Sequence, residues 1–206
     1  MGKFYNGVLG TMTGKVGGVV GRTWKGINTV AAYQPNVSNP RTNLQVAQRE
    51  KMAAITMLAS LINTSFIKPL WDRFAKGMSG YNAFIQSNIA AVSNAGVINF
   101  PNLILSKGKM IATAISNVES FGVKLQVEWE PAIVDSYSMS TDKAYFLAIN
   151  QDTKEIISSA GLVDRSVGKI EIPINNIESG NWHCYLSFKR TDGTIVSNSS
   201  YLFLDI

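Results

Sequence analysis

The chain has 206 residues, of which 46% are hydrophobic and 10% aromatic, with one cysteine and a formal net charge of +5. This composition excludes global disorder, because it supplies apolar material for a core, and a lone cysteine excludes an intramolecular disulfide. The charge is uneven: residues 1–80 hold ten Lys/Arg and two acids, residues 81–206 nine and twelve, so the basic half is expected to meet nucleic acid, an acidic protein surface or the acidic half of another copy.

The first residues, MGKFYNG, lack the unbroken apolar stretch of a signal peptide, so export is not expected. Eight of the seventeen glycines fall within residues 1–26. The stretch from Gly14 to Tyr33 reads as two extended segments, Val16–Trp24 and Ile27–Tyr33, around a Lys25-Gly26 turn, because Val, Thr and Trp favour strands and glycine permits the reversal. A glycine-rich hairpin alone is marginal in water and needs a partner surface. Two prolines, Pro35 and Pro40, make the next stretch an extended linker.

Thr42 then caps a helix, with Gln45 completing a capping box. Leu44, Ala47, Met52, Ile55, Leu58 and Ile62 recur at helical spacing, predicting a helix from about Asn43 to about Asn63. Pro69 breaks the following segment, Phe66–Phe74, and a second helix is expected over Tyr81–Ser93. The longest apolar run, Met52–Phe66, is interrupted by Thr56, Ser60, Asn63, Thr64 and Ser65, so no membrane span is expected.

From Leu103 the period becomes two. Val123, Leu125, Val127 and Trp129 alternate with Lys124, Gln126, Glu128 and Glu130. Further strands are expected at Ala144–Asn150, Glu155–Ala160, Lys169–Ile174, Trp182–Lys189 and Ile195–Leu204, with Asp192-Gly193 as a turn between the last two. The expected fold is α+β: a basic, glycine-rich hairpin arm and linker (residues 1–42), a helical hairpin (43–100) and an immunoglobulin/fibronectin-III-like β-sandwich (101–206).

The chemistry of catalysis is sparse. His183 is the only histidine; its neighbour Cys184 points to the opposite face of a strand, so the two do not pair, and His183 reads as a surface-facing strand residue. One histidine and one cysteine do not make a zinc site. Asp135, Asp142, Asp152 and Asp164 match no calcium loop, and the glycines of the arm match neither a Walker loop nor a dinucleotide loop. No enzyme, cofactor or metal site is expected. The positive signal is Lys3, Lys15, Arg22, Lys25, Arg41, Arg49 and Lys51, interleaved with Tyr5 and Trp24. Lys15, Arg22, Trp24, Lys25, Arg41 and Arg49 are the candidate interface and anion-binding residues.

The strings GKVGGVVGRTWKGINTV, NPRTNLQVAQREKM, SGYNAFIQSNI and LILSKGKM resemble a family of unknown function whose members are common in Bacteroidetes and their bacteriophages. The resemblance implies a virion structural part of the head, neck or tail, assembled in the bacterial cytoplasm. Its implied partners are other virion proteins and copies of itself. Two alternatives stand beside it: a nucleic-acid-associated protein contacting DNA through the basic half, and a cell-surface protein binding through the sandwich.

Overall fold

The protein is described from a computed structural model, in which residues 2–4, 12–132, 135–174 and 178–205 are described. Tyr5 of the basic–aromatic set lies outside them. The chain is mixed α+β, and its described strands form three antiparallel sheets. It divides into two compact units, residues 1–46 and 47–206.

The first unit is a four-stranded sheet built from β1 (Gly2–Phe4), β2 (Gly14–Val16), β3 (Val19–Trp24) and β4 (Ile27–Ala32), in the order β1-β4-β3-β2. Lys25 and Gly26 both take positive φ, 46° and 77°, the geometry that matches a two-residue turn to the twist of its strands. The expected segment Val16–Trp24 is in fact two strands: the chain reverses at Gly17-Gly18, where Gly17 has φ 57°, so Val16 pairs with Val19 instead of preceding it along one strand. Gly21 is required for packing, since a Cβ there would stand 2.2 Å from the Met12 carbonyl oxygen.

The helix α1 (Asn43–Ile62) starts as its capping residues dictate. Gln45 N–H donates to Thr42 Oγ1 (3.4 Å) and Thr42 N–H to Gln45 Oε1 (3.3 Å). Pro69 does not end this helix. A π-helical turn, Asn63–Ile67, leads into α2 (Lys68–Trp71), whose second residue is Pro69; a proline inside a helix loses one backbone hydrogen bond, and the change of helical pitch falls just before it. The continuous helix, Asn43–Trp71, is therefore longer than expected, and it is long and apolar enough by composition to cross a membrane (mean hydropathy 1.3). Its stripe of Ile55, Leu58, Ile62, Phe66, Ile67 and Leu70 is buried within the second unit. Ser79 caps α3 (Gly80–Asn88), accepting from Asn82 N–H, and a 3₁₀ turn, Ile89–Ala91, follows.

Among the described residues, seven strands complete the second unit. β5 (Ile115–Phe121), β6 (Lys124–Trp129) and β9 (Lys169–Pro173) form one sheet, in the order β5-β6-β9. β7 (Lys143–Asn150), β8 (Ile156–Asp164), β10 (Asn181–Lys189) and β11 (Ser200–Asp205) form the other, in the order β11-β10-β7-β8. The two sheets share one core: Leu125, Val127, Trp129, Ile170 and Ile172 meet Phe146, Trp182, Cys184, Leu186 and Phe188. The opposite face of the four-stranded sheet, with Tyr145, Leu147, Ile149 and Tyr185, packs on the helices. β7 and β10 are thus buried on both faces, and each fully buried large apolar side chain contributes roughly 1.5–3 kcal/mol.

Residues 43–100 and 101–206, expected as consecutive regions, share this helix-facing core, so from Ala47 onward they form one unit. Trp71 Nε1–H donates to Leu105 O (2.7 Å), Tyr185 Oη–H to Phe100 O (2.7 Å), and Asn88 Nδ2–H to Ile104 O (2.9 Å). These bonds staple the segment after the helices to both layers.

His183 corrects the sequence expectation. Its strand face is opposite that of Cys184, as expected, but that face is covered by helices and loops, leaving His183 4% exposed. The ring stacks on Phe100 (4.2 Å between centroids) and lies 2.9 Å from both Tyr201 Oη and Gln151 Oε1. Asp142, one of the four aspartates that match no calcium loop, is also fully buried.

Candidate functional site

The candidate residues of the N-terminal sheet are organised by its register. Arg22 pairs with Thr29, Trp24 with Ile27 and Val20 with Ala31, so Val20, Arg22 and Trp24 share one face with Ile27, Thr29 and Ala31. Lys15, paired with Val20, joins the same face from β2. Its ammonium stands 3.5 Å from the centroid of the Tyr33 ring, a cation–π contact. Lys15, Arg22, Thr29, Tyr33 and Gln34 border a shallow cavity of about 410 Å³. Trp24 is 55% exposed and Tyr33 43% exposed.

The structure brings Lys15, Arg22 and Trp24 onto this one face and puts Lys25 at its turn. Arg41 lies in the linker and Arg49 on α1 in the second unit, and neither borders the cavity. Tyr33 is the member that sequence reading missed; its even spacing from Ile27 and Thr29, one residue past β4, is the signal that would have found it.

This sheet is poorly buried. From Met12 to Val46 the only buried residues are Gly21 and Asn28, while Val16, Val19, Trp24, Tyr33 and Val37 are exposed. Residues 1–46 carry five Lys/Arg and no acid; residues 47–206 carry fourteen of each. The face therefore offers cations and aromatic rings with no carboxylate of its own, which suits an acidic or phosphate-bearing surface.

The second unit holds an apolar groove of about 440 Å³ bordered by Met57, Leu61, Val97, Phe100, Ile156 and Gln151. Met57 and Leu61 are four residues apart on α1 and lie off its buried stripe, at 64% and 55% exposure. Gln151 links this groove to His183. Burial holds the His183 imidazole below its ordinary pKa, with Asp152 opposing that shift and Lys154 adding to it. Burial pushes the Cys184 thiol up to about 12. Among the described residues, no three His, Cys, Asp or Glu side chains come together as a metal site.

A model of a family of unknown function, DUF6266, matches residues 11–203. The chain belongs to this family. The match spans the N-terminal sheet from β2 onward, the helices and nearly all of both C-terminal sheets, so these parts recur together as a unit within it. Among curated proteins none matches the chain.

Proposed function

We propose that the protein is a non-enzymatic assembly component of a bacteriophage particle, of its head, neck or tail, made in the bacterial cytoplasm. It docks through its N-terminal sheet and its helices onto other virion proteins and copies of itself. The observation that carries this reading is the unburied sheet of residues 12–46: it exposes Trp24, Tyr33, Val16 and Val19 and buries only Gly21 and Asn28 among its described residues. Such a sheet gains its stability from a surface laid against it.

A non-catalytic role is supported by where the reactive side chains lie. His183 is closed in by Phe100, Tyr201 and Gln151, and Cys184 faces the core between the sheets. The facing sheets β5-β6-β9 and β11-β10-β7-β8 are read as an immunoglobulin/fibronectin-III-like sandwich, a class built from about seven antiparallel strands around one core. Such a module would face outward or pack against the next copy.

The test is twofold. Light scattering on the full chain across a concentration series should show oligomers, and Arg22→Glu with Trp24→Ser should dissolve them. Mass spectrometry of purified particles should find the chain. A monodisperse monomer that is absent from particles would sink the reading.

The second reading is nucleic-acid association, favoured by Lys15 over the Tyr33 ring on the same face as Arg22. It predicts DNA binding that falls steeply with salt through counterion release and is lost in Arg22→Glu with Lys25→Glu.

A further inference from the structure

Lys143, Lys189 and Arg73 meet at one end of the helix-facing side of the four-stranded sheet, and Arg190 borders the same cleft. Lys143 on β7 and Lys189 on β10 are direct cross-strand partners, and like charges placed opposite each other destabilise a sheet. Lys143 is answered by Asp164 on β8, 2.6 Å away. Among the described residues Lys189 has no such ion pair. A third cation instead approaches it: a Cβ on Gly193 would stand 3.3 Å from Arg73 Nη1 and 3.8 Å from Lys189 Nζ.

Arg190 is the fourth. Its Nη2–H donates to Tyr137 O (2.6 Å), while its Nε is buried without a hydrogen-bond partner. The acid beside them, Asp192, spends its carboxylate on the Thr194 N–H and hydroxyl (2.7 and 2.5 Å), and its carbonyl accepts from Arg73 (3.0 Å). Two carboxylates thus face four cations. Burial, and then Arg73, lower the Lys189 pKa, as expected of cations held together. With Tyr145, Thr191 and Gly193 these side chains line a cleft of about 350 Å³.

We propose that this cleft binds a phosphate group between Arg73 and Lys189, with Lys143 and Arg190 at its margin. A phosphate, doubly charged as a free anion and singly charged as a diester, offsets the excess of cations over carboxylates. Its tetrahedral oxygens suit donors arriving from several directions, and a guanidinium fork beside an ammonium is a natural phosphate pair. Gly193, at φ 71°, leaves open the space where the anion sits. The phosphate comes either as a small free anion or as the diester of a nucleic acid.

The experiment is calorimetric titration of the full chain in low-salt chloride buffer with pyrophosphate, with oligothymidylate and with an oligoglutamate peptide. One pyrophosphate or one oligothymidylate site per chain is expected, and whichever binds names the source. Arg73→Gln and Lys189→Gln should each weaken binding by about tenfold or more, the value of one charge-assisted hydrogen bond. Lys169→Gln, on the three-stranded sheet, should not. Without anion, Lys189→Gln should unfold no earlier than the parent, because a like-charge pair has gone. Binding of neither phosphate probe, equal binding of oligoglutamate, or indifference to both substitutions would overturn the proposal.

Discussion

The Arg165 guanidinium and the Asp142 carboxylate lie 3.5 Å apart, Nε to Oδ2, with both side chains wholly buried. Around them, Arg165 Nη1–H donates to Thr113 Oγ1 (2.6 Å), its guanidinium carbon sits 4.0 Å over the Phe188 ring, and Asp142 Oδ2 accepts from Met139 N–H (2.7 Å). Burial lowers the Arg165 pKa while Asp142 raises it again. The pair ties the loop before β7 to the turn after β8, and Arg165 N–H also donates to Asp142 O (2.7 Å).

Breaking this pair from one side leaves an uncompensated buried charge. Arg165→Leu and Asp142→Leu should each cost about 3–5 kcal/mol, read as a fall in the denaturant midpoint. The double variant should cost clearly less than the two together, because neither charge is then stranded. Additive losses would mean that the two residues do not act as a pair.

His183 sets a pH dependence. Its pKa is lowered in the folded state, so below the ordinary value of about 6.5 the unfolded chain takes up the proton first. Stability is therefore full above about pH 6.5 and falls as pH drops below it. His183→Gln should flatten that part of the profile of unfolding midpoint against pH. An unchanged slope in the variant would assign the dependence to other groups.

Two glycines make opposite predictions. At Gly108 a Cβ would stand 1.9 Å from the Val196 carbonyl oxygen, and Gly108 N–H donates to Asn198 Oδ1 (3.1 Å). Gly108→Ala should therefore cost about 1–3 kcal/mol through forced backbone movement. A Cβ at Gly18 meets nothing within 4 Å. Gly18→Ala should leave the unfolding midpoint within about 0.5 kcal/mol of the parent.

Cys184 is fully buried between the sheets, and its thiol pKa is pushed up to about 12. The thiolate is the reactive form, so a disulfide reagent at pH 8 should label the native chain only as fast as the sheets open. Labelling should become immediate in denaturant. Rapid labelling of the folded chain would contradict the packing of β10.

Where local chemistry and tertiary packing agree, the sequence was legible. Thr42 and Gln45 announce the start of α1, and Lys25-Gly26 the β3–β4 turn. The alternation from Leu125 to Trp129 marks β6. β5 was missed because a bulge between Ile115 and Asn117 breaks the period of two, leaving its buried Ile115 and Val118 three apart. The expected strand Ile195–Leu204 starts at Ser200, since the chain before it makes only isolated bridges, Val196 with Lys189 and Ser197 with Met110.

The candidate site divides the same way. Lys15, Arg22 and Trp24 were visible as basic and aromatic residues among glycines, but their common face depends on register. The cleft of Arg73, Lys143, Lys189 and Arg190 was not legible at all, because its members come from three separate stretches of chain.

The sequence by itself determined the uneven charge, the capped helix, the strand-rich C-terminal half and the opposite orientations of His183 and Cys184. These follow from side-chain type and periodicity over a few residues. Only the tertiary structure decided that the His183 face is covered, that Pro69 leaves one continuous helix, and that Arg165 meets Asp142. Each of those depends on what a distant segment lays against the residue, and local spacing carries no record of that.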